Sequence, residues 1–524
     1  MHIPFQQIEN IPKLIKDFLA QEIPGFEHSV FNLENIQKQL DLKGKSFSGV
    51  RRKLLAEVLK EQHASLPQTV KQQSNLEALI LEETFTVTTG HQLNLFSGPV
   101  FFIYKILQTI KLADSLNSSF PTKKIIPVFW MATEDHDFEE IDHFSTRNKY
   151  YQIPAESGGP VGRIKIEDNN FISQFEDEFK DAPFGEDLIS LLKKTYKKGN
   201  TLAEATRILV QELFADYGLL IVDGDYAKLK MQMKALFKEE LLHQTVLEST
   251  KETINSLTEK YGKVQVNPRE INLFYLSETR DRIEFQDNTF HIVDKNRSFS
   301  KEEIFLELEN FPEKFSPNAL LRPVFQEVVL PNLAYIGGNA EIMYWLELKD
   351  YFKSIQIPFP LLIPRASFLF LKEKAFDKTK ALGLETDDLF RDFNTVSKKV
   401  LLENNEILNL LQEKEKALSA QFDQLMEISQ KTDPTFGNLV EAEKTRQLKS
   451  FHRMKKRLLR AEKRKQAEKL ERLENLFQKV HPGNKWQERS LNFSVFYSDY
   501  GPEWLQNCYR EIRVDESELI ILSI

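Results

Sequence analysis

The chain has 524 residues, of which 41% are hydrophobic and 28% charged, and its net charge is -8. This length predicts two or three domains around a substantial core, and the acidic balance argues against a general nucleic-acid binder. A single cysteine, Cys508, excludes an intrachain disulfide and a cysteine-rich zinc site, and with neither a leader nor a membrane span in the sequence we expect a cytoplasmic protein.

The first part of the chain alternates short apolar strands with amphipathic helices. The pattern predicts strands over 84–89, 125–132, 218–222, 333–336 and 359–363 and helices over 54–62, 76–81, 100–116, 201–217 and 341–352. Uninterrupted apolar strands between helices are typical of a parallel sheet covered on both faces. We therefore predict an α/β core over 1–385, with insertions at about 145–200, which contains a glycine-rich turn at 157–160, and at about 225–330.

The character of the sequence changes after about residue 375. Apolar residues follow a seven-residue repeat from Val400 to Ile428, a turn-rich break follows at 432–438, and a second charged helix runs to about residue 480. This pattern predicts an antiparallel coiled-coil hairpin over 386–480. Residues 481–524, with β-like runs at 490–497 and 519–524, are expected to return to the core.

Polar residues follow each predicted strand of the core. Because the carboxyl ends of parallel strands meet at one edge of a sheet, these residues are candidates for a common ligand crevice. They are Thr89, Gly90, His91, Gln92 and Gly98 after the first strand, Glu134, Asp135, His136 and Asp137 after the second, Asp223 and Asp225 after the third, Gly337, Gly338, Asn339 and Glu341 after the fourth, and Arg365 after the fifth.

The turn from Gly90 to Pro99 is neither a Walker A loop nor a Gly-x-Gly-x-x-Gly fingerprint. One interpretation is that its backbone amides and His91 contact a phosphate or a carboxylate. The alternative is a tight structural turn with a capping histidine. The same two alternatives apply to Gly337–Asn339, as an anion-binding nest or as a plain turn.

The run Glu134-Asp135-His136-Asp137 is the densest ionisable cluster of the chain. Its side chains could bind Mg²⁺, polarise an amine nucleophile or hold the amine of a substrate. The alternative is structural, with an aspartate capping a helix. No conventional metal-ligand spacing is present, so we predict no protein metal site.

These motifs resemble those of the bacillithiol-biosynthesis cysteine-adding enzyme family. The resemblance rests on Thr89-Gly90-His91-Gln92 and on Glu134-Asp135-His136-Asp137, and it extends in order over most of the chain. The other matching segments are 98–99, 104–105, 127–130, 265–270, 272–274, 321–323, 331–338, 341, 344–345, 364–365 and 487–489.

The resemblance implies a Rossmann-like core related to class I aminoacyl-tRNA synthetases and a coiled coil that forms a homodimer. It also implies a ligase that joins the carboxyl group of cysteine to the amine of glucosaminyl-malate. Activation of the carboxyl group requires a nucleoside triphosphate, so we expect ATP, with Mg²⁺ as a possible companion. Whether activation is by adenylyl or phosphoryl transfer is left open.

Residue roles follow from that chemistry. Glu134, Asp135 and Asp137 would form the negative pocket for the amine, with His136 as the base. Backbone and side-chain donors at Gly90 and Gln92, with Arg365, would bind the malyl carboxylates.

Two other interpretations remain. The chain could be an ATP-dependent amide ligase that acts on another amine. It could also be a non-catalytic scaffold whose coiled coil, basic over 444–465, binds RNA or a protein, although interspersed acidic residues favour a solvated helix face there.

Overall fold

The computed structural model of the protein describes residues 1–154, 158–293, 295–429 and 431–524. Ser157 of the glycine-rich turn therefore lies outside the described residues. The chain forms two compact units. The first comprises 1–7, 11–369 and 488–520, and the second comprises 8–10, 370–487 and 521–524.

The strands of the described residues are numbered in chain order. They are β1 His2–Pro4, β2 Thr84–His91, β3 Lys124–Met131, β4 His143–Ser145, β5 Tyr150–Gln152, β6 Leu220–Asp223, β7 Leu273–Leu276, β8 Arg280–Gln286, β9 Thr289–Ile292, β10 Arg297–Phe299, β11 Phe315–Pro317, β12 Asn332–Gly337, β13 Leu361–Pro364, β14 Ser367–Leu371 and β15 Glu518–Ser523.

The α-helices are numbered in the same way. They are α1 Lys13–Leu19, α2 Leu33–Ser46, α3 Gly49–His63, α4 Val70–Ala78, α5 Phe101–Ser119, α6 Phe171–Phe179, α7 Gly185–Thr195, α8 Leu202–Phe214, α9 Ala227–Lys230, α10 Lys234–His243, α11 Thr245–Tyr261, α12 Lys301–Asn310, α13 Leu321–Val329, α14 Asn339–Glu347, α15 Lys349–Ser354, α16 Glu373–Ala381, α17 Phe393–Leu402, α18 Glu406–Ser429, α19 Pro434–Lys465, α20 Ala467–Val480, α21 Gln487–Ser490, α22 Ser494–Tyr500 and α23 Pro502–Glu511. Among them, no stretch combines the length and the hydropathy that crossing a bilayer requires.

The core of the first unit is a five-stranded parallel sheet in the order β13-β12-β2-β3-β6. The chain starts this sheet in the middle, at β2, builds outward to β3 and β6, and then returns to place β12 on the other side of β2. The strand order therefore reverses between β2 and β12, and a sheet of this kind binds its ligands at the carboxyl end of such a switch point. The predicted Rossmann-like fold class is confirmed.

A buried polar network holds β2 against β12. Thr88 donates to Asn332 Oδ1 over 2.8 Å, and Asn332 donates to Glu327 Oε1 over 2.7 Å. The other oxygen of Glu327 accepts from the buried Lys43 ammonium group over 2.6 Å. The Thr88 side chain thus adds a buried hydrogen bond to the backbone ladder between β2 and β12.

Two insertions interrupt the parallel sheet. Between β3 and β6 lie the hairpin β4–β5 and the helices α6 to α8. Between β6 and β12 lies an antiparallel sheet of order β10-β9-β8-β7-β11. These two segments fill the long gaps between consecutive strands of the parallel sheet.

The second unit contains the predicted helical hairpin. Ion pairs join Lys444 to Asp423 and Lys455 to Glu415, so residue numbers fall along α18 as they rise along α19, and the two helices are antiparallel. The second helix begins at Pro434 rather than near 439, because the Asp433 side chain accepts from the Thr435 amide and caps it.

The β-like run predicted over 490–497 is wrong. This segment contributes to α21 and α22, because the Asn492 side chain accepts from the Ser494 amide over 3.0 Å and initiates a helical turn. The prediction of a strand near the carboxyl terminus is confirmed by β15, which pairs antiparallel with β1.

Replacement of Lys43 by Met should destabilise the protein by about 3–5 kcal/mol, because it leaves the Glu327 carboxylate buried without a countercharge. Urea unfolding followed by circular dichroism measures the loss. The matched control is Lys38→Met on the same helix, where the exposed Lys38–Glu34 pair should contribute less than about 1 kcal/mol. Equal losses in both variants would contradict this account.

Candidate active site

A cavity of about 710 Å³ opens at the switch point of the parallel sheet. The parallel sheet contributes Gly90 at the end of β2, Trp130 at the end of β3 and Tyr335 of β12 to its lining. Glu341 of α14 and Arg280 of the inserted antiparallel sheet also line it. Three of the predicted strand-end clusters, at 90–92, 134–136 and 341, therefore meet at one cavity.

Lys105 of α5 links the two strands that flank the switch point. Its buried ammonium group donates to the Gly90 carbonyl over 2.6 Å and to both oxygens of Glu341 over 2.8 and 2.9 Å. Burial lowers the pKa of Lys105. A Cβ at Gly90 would lie 3.3 Å from Arg322 Nη1 and 3.4 Å from the Trp130 carbonyl, so glycine permits this close approach.

Glu341 is held as a carboxylate. Burial alone would raise its pKa, but the charge and hydrogen bonds of Lys105, with a 2.5 Å hydrogen bond from Tyr335, lower the pKa to about 2. Its Oε1 also accepts from the Gly338 amide over 3.2 Å. The Gly338 amide already donates to Glu341, so it is not free to bind an anion in a nest at Gly337–Asn339.

Asp135 is held by donors on two sides. Gln92 donates to Oδ2 over 2.8 Å, and the His136 amide donates to Oδ1 over 2.8 Å. Burial opposes ionisation, but the neighbouring His136 side chain, the Gln92 hydrogen bond, the charge of Arg280 and the His136 amide lower the pKa of Asp135 below its ordinary value. Asp135 is therefore a carboxylate that faces the cavity.

Glu134 belongs to a separate ion-pair network. It lies 2.6 Å from the fully buried Nζ of Lys230, which also donates to Asp225 over 3.0 Å, and Arg163 pairs with the other side of Asp225. Burial raises the pKa of Glu134, and although Lys230 opposes this shift, the Asp225 charge adds to it. Glu134 is thus the most basic carboxylate of the cavity.

Arginines from outside the parallel sheet line the rest of the cavity. Arg322 of α13 stands over the Tyr335 ring at 5.6 Å, and Arg269 and Arg282 are exposed. None of the three forms an ion pair with a carboxylate of the described residues, although Arg322 Nη1 donates to Gln326 Oε1 over 3.3 Å. They are available to bind an anion.

His91 lines the cavity in its neutral form. Its ring packs against Phe101 and Phe102 at centroid distances of 5.2 and 5.3 Å. Burial, together with the Lys105 charge, lowers the pKa of His91 to about 3.

Other predicted site residues do not line the cavity. Thr89 is buried and donates to the Ile336 carbonyl over 2.8 Å, so it joins β2 to β12. Gly98 has a φ of 59°, and a Cβ there would lie 2.7 Å from Asn94, so it forms a structural turn. Asp137 is exposed, and the Asp223 carboxylate accepts a hydrogen bond from the Thr133 hydroxyl group.

Arg365 is also used within the protein. It makes a two-pronged ion pair with Glu488 over 2.7 and 3.0 Å, and both side chains are buried. Its guanidinium group lies over the Phe101 ring at 4.6 Å. These contacts place Arg365 beside α5 as a structural residue rather than as a ligand of the cavity.

Comparison with known proteins gives the family. A family model described as "Bacillithiol biosynthesis BshC, N-terminal Rossmann-like domain" matches residues 1–366, and one described as "Bacillithiol biosynthesis BshC, C-terminal coiled-coil domain" matches residues 368–524. The chain belongs to the BshC family.

Relatives cover the whole chain. Proteins named "Putative cysteine ligase BshC" are 41% identical in Flavobacterium johnsoniae, over 100% of this chain and 99% of the relative. The protein of this name in Flavobacterium psychrophilum is 39% identical over 96% of this chain and 95% of the relative. The one in Christiangramia forsetii is 37% identical over 99% of this chain and 98% of the relative.

Reasoning from strand ends missed most of the residues that line or support the cavity from other elements. Arg269, Arg322 and Tyr344 lie in segments that carry the family resemblance, and that signal could have selected them. The missed lining residues are Arg269, Arg280, Arg282, Arg322, Tyr335 and Tyr344, and the missed partners of its carboxylates are Lys105 and Lys230.

The loop that contributes Val266 and Asn267 to the cavity is anchored by Glu347 at the end of α14. Glu347 accepts from the Gln265 amide over 2.9 Å and from the Val266 amide over 3.2 Å. Burial nevertheless raises its pKa from 4.5 to about 7. Between pH 4.5 and about 7, the folded protein therefore keeps a proton on Glu347 that the unfolded chain has already released.

Because the folded pKa is the higher one, the stability contributed by Glu347 should be lost as the pH rises from about 5 to about 8. Urea midpoints measured across that range should fall more for the wild-type protein than for Glu347→Gln, which cannot titrate and keeps an acceptor for both amides. Identical pH slopes would show that Glu347 is ionised throughout.

Proposed function

We propose that the protein is a cysteine ligase of bacillithiol biosynthesis that joins the carboxyl group of cysteine to the amine of glucosaminyl-malate. The family and the names of its relatives support this reaction. The observation that carries the proposal is the charge of the cavity lining, which combines guanidinium groups that form no ion pair among the described residues with ionised carboxylates.

The guanidinium groups fit the acidic parts of the reactants. Arg269, Arg282 and Arg322 can bind the two malyl carboxylates or the phosphates of a nucleotide. The carboxylates fit ammonium groups, because Asp135 and Glu341 are held ionised and line the cavity. Guanidinium groups and carboxylates in one cavity would orient a zwitterion such as cysteine.

The proton of the attacking amine needs an acceptor. Glu134 is the best suited carboxylate, because burial raises its pKa while Asp135 and Glu341 are held as weak bases. As the amine nitrogen bonds to the activated acyl carbon, the bond from that carbon to the activating group breaks. Glu134 then takes the proton from nitrogen.

ATP is proposed as the co-substrate that activates the carboxyl group, since amide formation from a free carboxylate is otherwise unfavourable. The described residues contain no group of three or more His, Cys, Asp or Glu side chains placed to hold a metal ion. The proposal therefore assigns Mg²⁺ no ligands from the protein.

We also propose a homodimer formed through the hairpin of the second unit. Apolar side chains stay exposed along α18 and at the start of α19, with exposed fractions of 54% at Leu410, 51% at Leu425, 62% at Ile428 and 55% at Leu439. These side chains form an interrupted apolar stripe, and exposed apolar surface of this kind is typical of a helix interface.

Purified protein incubated with ATP, cysteine and glucosaminyl-malate should form the amide, identified by its mass. Arg322→Met should lower kcat/KM by about 10- to 100-fold, because a charge-assisted hydrogen bond to an anion contributes about 1.5–3 kcal/mol. The control Arg297→Met removes an exposed arginine that pairs with Glu307 outside the cavity. If the protein turns over another amine in preference to glucosaminyl-malate, the amide ligase that acts on another amine is favoured. If it binds RNA without turnover, the non-catalytic scaffold is favoured.

Light scattering tests the homodimer. The double variant Leu410→Lys with Leu425→Lys should reduce the mass in solution from that of a dimer to that of one chain, because it places charge on the apolar stripe. The control Gln412→Lys with Gln424→Lys adds the same charge at exposed polar positions of the same helix. A monomeric wild-type protein, or equal masses in both variants, would contradict the proposal.

A further inference from the structure

Arg280 on β8 reaches from the inserted sheet to the residues that follow β3. Its side chain is buried, and each of its three nitrogens contacts a protein group. Nε donates to Ser316 Oγ over 3.1 Å, Nη2 donates to the Pro317 carbonyl over 2.8 Å, and Nη1 lies 2.9 Å from His136 Nδ1. The guanidinium plane also lies 3.9 Å from the centre of the Phe274 ring. These contacts fix Arg280 in place.

The contact with His136 determines which ring nitrogen carries the proton. A guanidinium group has only donors, so His136 Nδ1 has to accept with its lone pair. A neutral imidazole carries one proton, which must then lie on Nε2. Asp135 Oδ1 lies 3.6 Å from Nδ1, beyond hydrogen-bond distance, whereas the Arg280 donor lies at 2.9 Å.

We propose that Arg280 is a positioning residue that fixes His136 as the Nε2–H tautomer, so that His136 donates a hydrogen bond into the cavity. The His136 side chain is 38% exposed and lines the cavity. Its Nε2 makes no hydrogen bond with the part of the chain that the structure describes. This geometry argues against the role of base, because neither ring nitrogen offers a lone pair to the substrate.

Two other histidines show the opposite arrangement. His63 Nδ1 lies 2.8 Å from the Leu59 carbonyl while its Nε2 accepts from the Ile221 amide, so its proton lies on Nδ1. His143 Nδ1 lies 2.8 Å from an Asp142 oxygen and carries a proton for the same reason. The difference at His136 therefore comes from its neighbour Arg280.

The consequence for catalysis rests on the proposed function. A donor at Nε2 would hydrogen-bond the carbonyl oxygen of the activated cysteine as the amine attacks and negative charge develops there. No proton leaves His136 in this step, and the proton of the amine goes to Glu134.

Carbon NMR of protein labelled with ¹³C only in histidine tests the tautomer without any substrate, because the Cδ2 shift differs between the two tautomers. His136→Gln assigns the signal, and His63 supplies the opposite reference. At mildly alkaline pH, His136 should show the Nε2–H shift in the wild-type protein. Arg280→Met should move the signal toward a mixture of tautomers, and Arg280→Lys should restore part of the original shift.

The matched control is Ser316→Ala, which removes a neighbouring contact of Arg280 but leaves the contact with His136. It should leave the His136 shift unchanged. A wild-type signal at the Nδ1–H position, or an unchanged signal in a folded Arg280→Met, would overturn the proposal. If Arg280→Met does not fold, the wild-type and Ser316→Ala spectra still decide it.

Kinetics separates this inference from the proposed function. In the ligase assay, Arg280→Met should lower kcat by about 100-fold, as expected for loss of an oriented donor, with a smaller effect on KM. If the wild-type protein forms no amide, the proposed ligase reaction fails, whereas the NMR result on the tautomer is unaffected.

Discussion

The buried ammonium group of Lys105 lies at the point where the order of the parallel sheet reverses. Because it is buried, it needs partners within the chain, which are the Gly90 carbonyl at the end of β2 and Glu341 just after β12. One buried ammonium group thus connects the end of β2 to the start of α14, on the two sides of the switch point. Since an unpaired charge in this place would be strongly unfavourable, the crevice and the ion pair depend on each other.

The same requirement explains why the cavity combines two structural sources. The parallel sheet supplies carboxylates at its carboxyl edge, because its strands end there. The segment inserted between β6 and β12 supplies two further cations, with Lys230 of α9 pairing with Glu134 and Arg280 of β8 contacting His136. This inserted segment is therefore part of the site, since without Lys230 Glu134 would be a buried carboxylate without a countercharge.

Sequence periodicity was enough to predict the parallel core, because buried strands and amphipathic helices have distinct patterns. Their order along the chain determines where the strand ends meet, and it correctly predicted that Gly90, Asp135 and Glu341 lie at one cavity. It could not predict the partner of Arg365, because Glu488 lies 123 positions away and enters through the returning carboxyl-terminal segment. A strand-end arginine has the same local pattern whether it meets a substrate or a carboxylate of its own chain.

Pairing also separates the chemical roles of the carboxylates. Glu341 contacts a lysine, a tyrosine and a backbone amide, all of which favour its charged form, whereas Glu134 shares one lysine with Asp225 and is more deeply desolvated. Two glutamates on the same cavity therefore differ in proton affinity because their partners differ in number. A site that has to hold an ammonium group and also accept a proton needs such a difference, because one carboxylate cannot stay ionised and be a good base at the same pH.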